Sequence, residues 1–140
     1  MMYLVDTNVI SEARKHGRAN EGVQAFFRQV GKEQLPVFIS VITAGELRRG
    51  VELIRHRGDE RQAKRLEKWL TDILVEYRDN ILDINPDIAQ LWGRLRVPHP
   101  ENALDKLIAA TALIYDLTLV TRNHKDFVRT GVRIFNPFSE

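Results

Sequence analysis

The sequence predicts an α/β fold: a three-layer sandwich with a central, mostly parallel sheet flanked by helices. Two observations carry that expectation. Five short apolar runs, at 3–5, 37–39, 81–84, 117–121 and 132–135, are separated by stretches of helical periodicity, and strands alternating with helices build parallel sheets. One late stretch, 104–115, is apolar nearly all round and reads as a central helix.

The elements follow in order. Tyr3, Leu4 and Val5 form a buried strand that stops at Asp6. Ser11 is a plausible N-cap for a short helix ending by Gly17. Asn20 then precedes a helix with Val23, Phe26, Phe27 and Val30 on one stripe, and Gly31 supplies its stop. Pro36 opens the second strand, which ends at Ser40. From about Thr43 a helix carries Leu47, Val51 and Ile54 and closes at Gly58. Asp59 opens the next, whose apolar stripe (Ala63, Leu66, Leu70, Ile73) lies opposite Arg61, Lys64, Arg65 and Lys68. After a third strand, Asn85-Pro86 is a cap and first turn for a helix bearing Ile88, Leu91, Trp92 and Leu95. Val97-Pro98-His99-Pro100 is a rigid break before the central helix. No repeat, linker or low-complexity segment interrupts the pattern, so 1–140 is expected to form a single domain.

Composition narrows the function. The 140 residues contain no cysteine, which excludes disulfides, thiolate metal sites and cysteine nucleophiles. Hydrophobic residues at 44% and charged residues at 29% exclude a disordered tail or a membrane protein. Asp6 interrupts the first apolar run too soon for a signal peptide, so a cytoplasmic protein is expected. The formal charge is only +2, too mild to announce a nucleic-acid binder by itself. The four histidines, at 16, 56, 99 and 124, lie among charged or loop residues and lack zinc-site spacing, which points to solvent exposure.

The acids are more informative. Asp6 follows the first strand, where ligands bind in open parallel sheets, although Asp also favours turns and caps. Glu46 follows the second strand. Thr43 and Glu46 fit a capping box, while small Ala44 and Gly45 leave room for another element to approach. Asp105 stands at the start of the apolar helix, where a charge is costly without a partner, a proton or a metal. Glu101 or Asn102 could cap that helix, leaving Asp105 to favour its dipole. Asn123 and Asp126 lie beyond the fourth strand, and each also suits an ordinary loop. If these groups converge at one sheet edge, their repulsion calls for a cation or shifted pKa values. Oxygen ligands without Cys or a His cluster suit Mg²⁺, with Mn²⁺ as a substitute, rather than zinc. Phosphodiester hydrolysis is the chemistry best matched to such a site.

Four ordered segments bear a family resemblance. Leu4-Val5-Asp6-Thr7-Asn8-Val9-Ile10-Ser11-Glu12 resembles the opening motif of PIN-domain ribonucleases, and Ile39 through Gly50, containing Thr43-Ala44-Gly45-Glu46, resembles their second. Asp105-Lys106-Leu107-Ile108-Ala109-Ala110 and Thr121-Arg122-Asn123-His124-Lys125-Asp126-Phe127 resemble the third and fourth. The likeness spans essentially the whole chain and is greatest to VapC-type toxins, including the FitB-like branch. It implies a PIN-like sandwich and a Mg²⁺- or Mn²⁺-dependent endoribonuclease, the toxin of a toxin–antitoxin pair. Asp6 and Asp105 would be the principal metal ligands. Glu46 would complete the acidic triad directly, through water, or by orienting the attacking water. Thr7, Asn8 and Thr121 would be supporting hydrogen-bonding groups. Asn123 stands where some relatives carry Asp, so Asn123 or Asp126 would fill the fourth position. The implied partners are an RNA substrate, a cognate antitoxin held in hydrophobic grooves near the second and third helices, and a second copy in a homodimer or a higher toxin–antitoxin assembly, with no membrane.

Two other readings compete. A receiver-like Mg²⁺-binding regulatory domain would need a phosphate-accepting Asp after a mid-chain strand, for which Asp83 is the only candidate. A PIN fold kept for binding, without catalysis, is the other. The mild net charge also looks different once a metal pocket is expected. Setting Asp6, Glu46, Asp105 and Asp126 aside, 19 acids less these four leave 15, facing 21 Lys and Arg.

Overall fold

Asp6 ends the first strand and caps the first helix, and that junction sets the layout of the molecule. In the computed structural model, which describes residues 1–140, β1 (Tyr3–Val5) passes through Asp6 directly into α1 (Thr7–Ala13). Asp6 accepts a hydrogen bond from the Thr7 backbone N–H and so serves as the N-cap. Ser11, expected in that role, instead lies inside the helix, because the cap is taken one residue after the strand. A short 3₁₀ turn (His16–Arg18) leads to α2 (Glu21–Lys32), which Asn20 caps as expected through Gly22 N and Val23 N.

Gly31 does not stop α2. The helix runs through it to Lys32, and the chain reverses at Gln34, which holds φ 53°. Leu35 N–H reaches Val30 O at 2.9 Å and Gln34 N–H reaches Gly31 O at 3.3 Å, the bonding pattern of a Schellman ending.

β2 (Val37–Ser40) runs without a loop into α3 (Val41–His56), with Ser40 Oγ accepting from Ile42 N–H at 3.0 Å. The helix thus begins before Thr43, and the expected Thr43–Glu46 capping box is not formed. Gly58, at φ 93°, ends the turn after α3 as expected, and Asp59 caps α4 (Glu60–Glu76). The edge strand β3 (Ile81–Leu82) is shorter than its apolar run. Asn85 Oδ1 then caps α5 (Pro86–Leu95) through Ile88 N–H at 2.9 Å. The central helix α6 (Ala103–Ile114) starts after Asn102, which sits at φ 56° and makes no side-chain cap; Glu101 does not cap it either. β4 (Thr118–Val120), α7 (His124–Phe127) and β5 (Ile134–Phe135) complete the chain, the last strand again trimmed to two residues.

The five strands lie in the order β3-β2-β1-β4-β5, and every pairing is parallel. Alternation along the strands splits the core into two layers. Val5, Ile39 and Val120 face a cluster with Val9, Ile10, Val23, Phe26, Leu47 and Leu70 from α1–α4. Leu4 and Leu119 face Ile108, Ala109, Ala112 and Phe127 from α6 and α7. Helices on both faces of an all-parallel sheet give the expected three-layer sandwich. No helix is long and apolar enough to cross a membrane.

Candidate active site

β1 and β4 are central neighbours in the sheet, with Val5 paired to Val120, so the residues that follow them meet at its carboxyl edge. Asp6 is 4% exposed. Its Oδ1 accepts from Thr7 N–H at 2.8 Å, while Oδ2 accepts from Thr121 Oγ1 at 2.8 Å and Asn8 Nδ2 at 3.3 Å. The Asn8 amide also ties the two segments together. Its Nδ2 reaches Thr121 Oγ1 at 3.3 Å, and its Oδ1 accepts from Arg122 N–H at 3.1 Å. Burial raises the Asp6 carboxyl above its usual range. The Thr121, Thr7 and Asn8 hydrogen bonds pull it back, and the charge of Glu46 adds to the rise.

Glu46 comes from the second turn of α3 and accepts from Thr7 Oγ1 at 2.7 Å. Thr43 Oγ1 lies 3.2 Å from the same Thr7 hydroxyl. Thr7, the first residue of α1, therefore locks the Glu46 carboxylate beside Asp6. The close approach expected at Gly45 is absent: a Cβ there would meet open space.

Asp105 lies in the first turn of α6 and is half-buried. Its carboxyl is pushed up to about 6, first by burial and then by the charges of Asp6, Asp126 and Glu46. Those couplings bring the four carboxylates into one electrostatic unit drawn from β1–α1, α3, α6 and α7. Asn123 heads α7, its backbone N–H bonded to Thr121 Oγ1 at 3.0 Å, and its side chain makes no capping bond. Asp126, one turn on, is the residue of that segment whose charge reaches Asp105. No three acids or histidines stand close enough to enclose one ion by themselves. Mg²⁺, which retains several waters and takes one or two carboxylates directly, does not require such a cage.

All four histidines are exposed, as expected. Asp83 lies beyond the edge strand β3, with β2 between it and the Asp6 strand, so a receiver-like centre is not assembled. Two residues of this region escaped the sequence reading. Thr43 is fully buried, and the capping pattern obscured its contact with Thr7. Lys106 is 7% exposed, and its signal was a lysine inside an otherwise apolar helix.

An all-parallel sheet with buried and half-buried carboxylates at its carboxyl edge defines a class of α/β protein built around an acidic centre. Within that class the chain belongs to the PIN domain family, which residues 3–132 match. It is 35% identical to Toxin FitB of Neisseria gonorrhoeae, over 99% of this chain and 100% of that protein. The crystal structure of FitAcB from the same organism superposes with a TM-score of 0.83 at 34% identity, covering 97% of this chain and 98% of that one. Ribonuclease VapC14 of Mycobacterium tuberculosis is 36% identical over 72 residues, 51% of this chain and 66% of that protein. A toxin–antitoxin complex from Klebsiella pneumoniae aligns at TM-score 0.65 and 26% identity, covering 99% of both chains.

Proposed function

We propose that residues 1–140 form one PIN domain acting in the cytoplasm as a divalent-metal-dependent endoribonuclease, the toxin of a toxin–antitoxin pair. The observation that carries this reading is the placement of Asp6, buried and held by Thr121 and Asn8, at the carboxyl edge of the central strands beside Glu46, which Thr7 holds. Burial and the charge of Glu46 raise Asp6, and burial with the charges of Asp6, Asp126 and Glu46 raises Asp105, the electrostatic counterpart of a site that takes up a cation. Similarity to a protein named as a ribonuclease and to proteins named as toxins supports RNA hydrolysis over other phosphodiester chemistry.

The donor set fits Mg²⁺ or Mn²⁺: Asp6, Glu46 and Asp105 offer oxygen, the chain has no cysteine, and all four histidines are exposed. Asp6 and Asp105 would hold the ion. A bound divalent cation supplies positive charge against the phosphoryl oxygens of an in-line displacement. The chain's own groups do the rest. Thr121 and Asn8 fix the Asp6 oxygens, Thr7 aims Glu46 at the water that attacks phosphorus, and Asp126 adds the fourth negative charge, with Asn123 beside it as an uncharged contact. A site of this charge also suits inhibition by an antitoxin Arg or Lys standing in for the cation. An apolar hollow between α1, α2 and α4, lined by Ile10, Phe27, Trp69, Ile73 and Tyr77, is the surface for an antitoxin helix. This hollow lies beside the second and fourth helices, and another beside the third is lined by Leu47, Gly50, Val51, Leu66 and Trp69. The toxin form is a homodimer.

The test is cleavage of structured RNAs by purified, antitoxin-free protein in Mg²⁺ and in EDTA, alongside Asp6→Ala. Metal-dependent cleavage that falls at least a hundredfold in the variant is the expected result. Equal cleavage by both proteins rejects the site.

A further inference from the structure

Lys106 follows Asp105 on α6 and is buried. Its Nζ donates to the backbone carbonyl of His99 in the 96–102 connection. A buried ammonium is costly unless something compensates it, and one carbonyl leaves two of its three donors free. Lys106 shares a cavity of about 500 Å³ with Lys125 and Arg129, and none of the three makes an ion pair there. At the rim, His99 Nδ1 lies 3.5 Å from Glu101 Oε1. Glu101 is held below the usual carboxylate range, first by its own backbone N–H and then by the charges of Lys106, His99 and Arg129, and with Asp126 it lines the cavity beside the three cations.

Two features tie this cavity to the acidic centre. Asp126 lines it, and Asp126 belongs to α7, the helix that follows β4 at the sheet's carboxyl edge. Lys106 also directly follows Asp105, so one turn of α6 presents an acid to one side and a base to the other. Leu95, Val97 and Pro98 add apolar surface to the same cavity. A hollow of this size exceeds what a single small anion needs and lies in the range of small-ligand pockets. Cations and apolar side chains lining one cavity match the two halves of a nucleotide unit, the phosphate and the sugar with its base.

We infer that this cavity is the substrate subsite next to the cleaved bond, where Lys106, Lys125 and Arg129 take a neighbouring phosphodiester of the same RNA strand and Leu95, Val97 and Pro98 take the attached nucleoside. The inference rests on the ribonuclease reading but is measured separately from it. Binding of a fluorescent single-stranded RNA is followed by anisotropy in EDTA, where metal-dependent cleavage is silent, across a salt series. Lys125→Ala and Arg129→Ala alter exposed residues and keep the test valid even if Lys106→Met fails to fold. Each exposed variant should weaken binding several-fold and lower the salt slope by about 1. In Mg²⁺ each should raise KM for RNA more than it lowers kcat. Unchanged affinity and slope in both variants overturn the subsite while leaving wild-type cleavage intact. A failed ribonuclease reading would instead appear as no cleavage by the wild type.

Discussion

At Asp105 the demands of folding and of chemistry oppose each other. Its carboxyl titrates near 6 in the folded chain, above the ordinary value of 3.8, so the folded state holds the proton more tightly than the unfolded state does. The stability contributed by that proton is present at low pH and is lost as pH rises from about 4 through 6. Metal-free Asp105→Asn should therefore gain stability relative to wild type over that interval and keep the gain at pH 7.5, as read from urea midpoints. Adding Mg²⁺ should narrow the gap by stabilising the wild type alone. Thr7 gives a second residue-scale prediction. Removing the hydroxyl that holds Glu46 at 2.7 Å, in Thr7→Ala, should cost about tenfold in kcat/KM, and Thr7→Ser should recover most of it. Asp6 and Asp105 were legible in the sequence because an acid after a strand or beside an apolar helix is conspicuous. The Thr7–Glu46 contact was not, since it joins residues 39 apart and Glu46 fits a local capping pattern equally well.

Among the elements, the strand-to-helix junctions hold the proposed site. β1 and β2 turn into α1 and α3 through one capping residue each, Asp6 and Ser40, so the first turns of both helices stand at the sheet edge. Strand and helix identities could be read from periodicity, but junctions could not, because Asp6, Ser11, Ser40 and Thr43 all have capping chemistry and packing decides among them. Gly31 shows the same limit. A glycine in a helix is tolerated when the buried face, here Val23, Phe26 and Val30, continues to the end. The left-handed position falls to Gln34, and Gln34→Gly should raise stability by about 1 kcal/mol in chemical denaturation. At Gly22, a Cβ would lie 2.0 Å from Pro137 O and 2.7 Å from Ser139 N, where the C-terminal segment crosses the start of α2. Ser139 N–H and Asn20 Oδ1 are bonded there at 2.9 Å. Gly22→Ala should displace that segment and destabilise the fold by about 1–3 kcal/mol, with faster hydrogen exchange in the first turn of α2.

For the molecule as a whole, the net charge of +2 conceals two fields. Four acids converge on the carboxyl edge, while Lys106, Lys125 and Arg129 gather in the adjoining cavity. The sheet order brings them together, placing β1 and β4 side by side although Asp6 and Thr121 lie 115 residues apart. That topology was legible only as a class, since alternating strands and helices say that the sheet is parallel but not which strands are neighbours. The most direct test is a calorimetric titration of Mn²⁺ into antitoxin-free wild type, Asp6→Asn and Asp105→Asn at pH 7.5, with RNA cleavage measured on the same samples. A shared metal centre predicts saturable binding by the wild type, weakened at least tenfold in each variant, with cleavage lost in parallel. Equal Mn²⁺ binding by all three proteins, or full cleavage by Asp105→Asn, would contradict it.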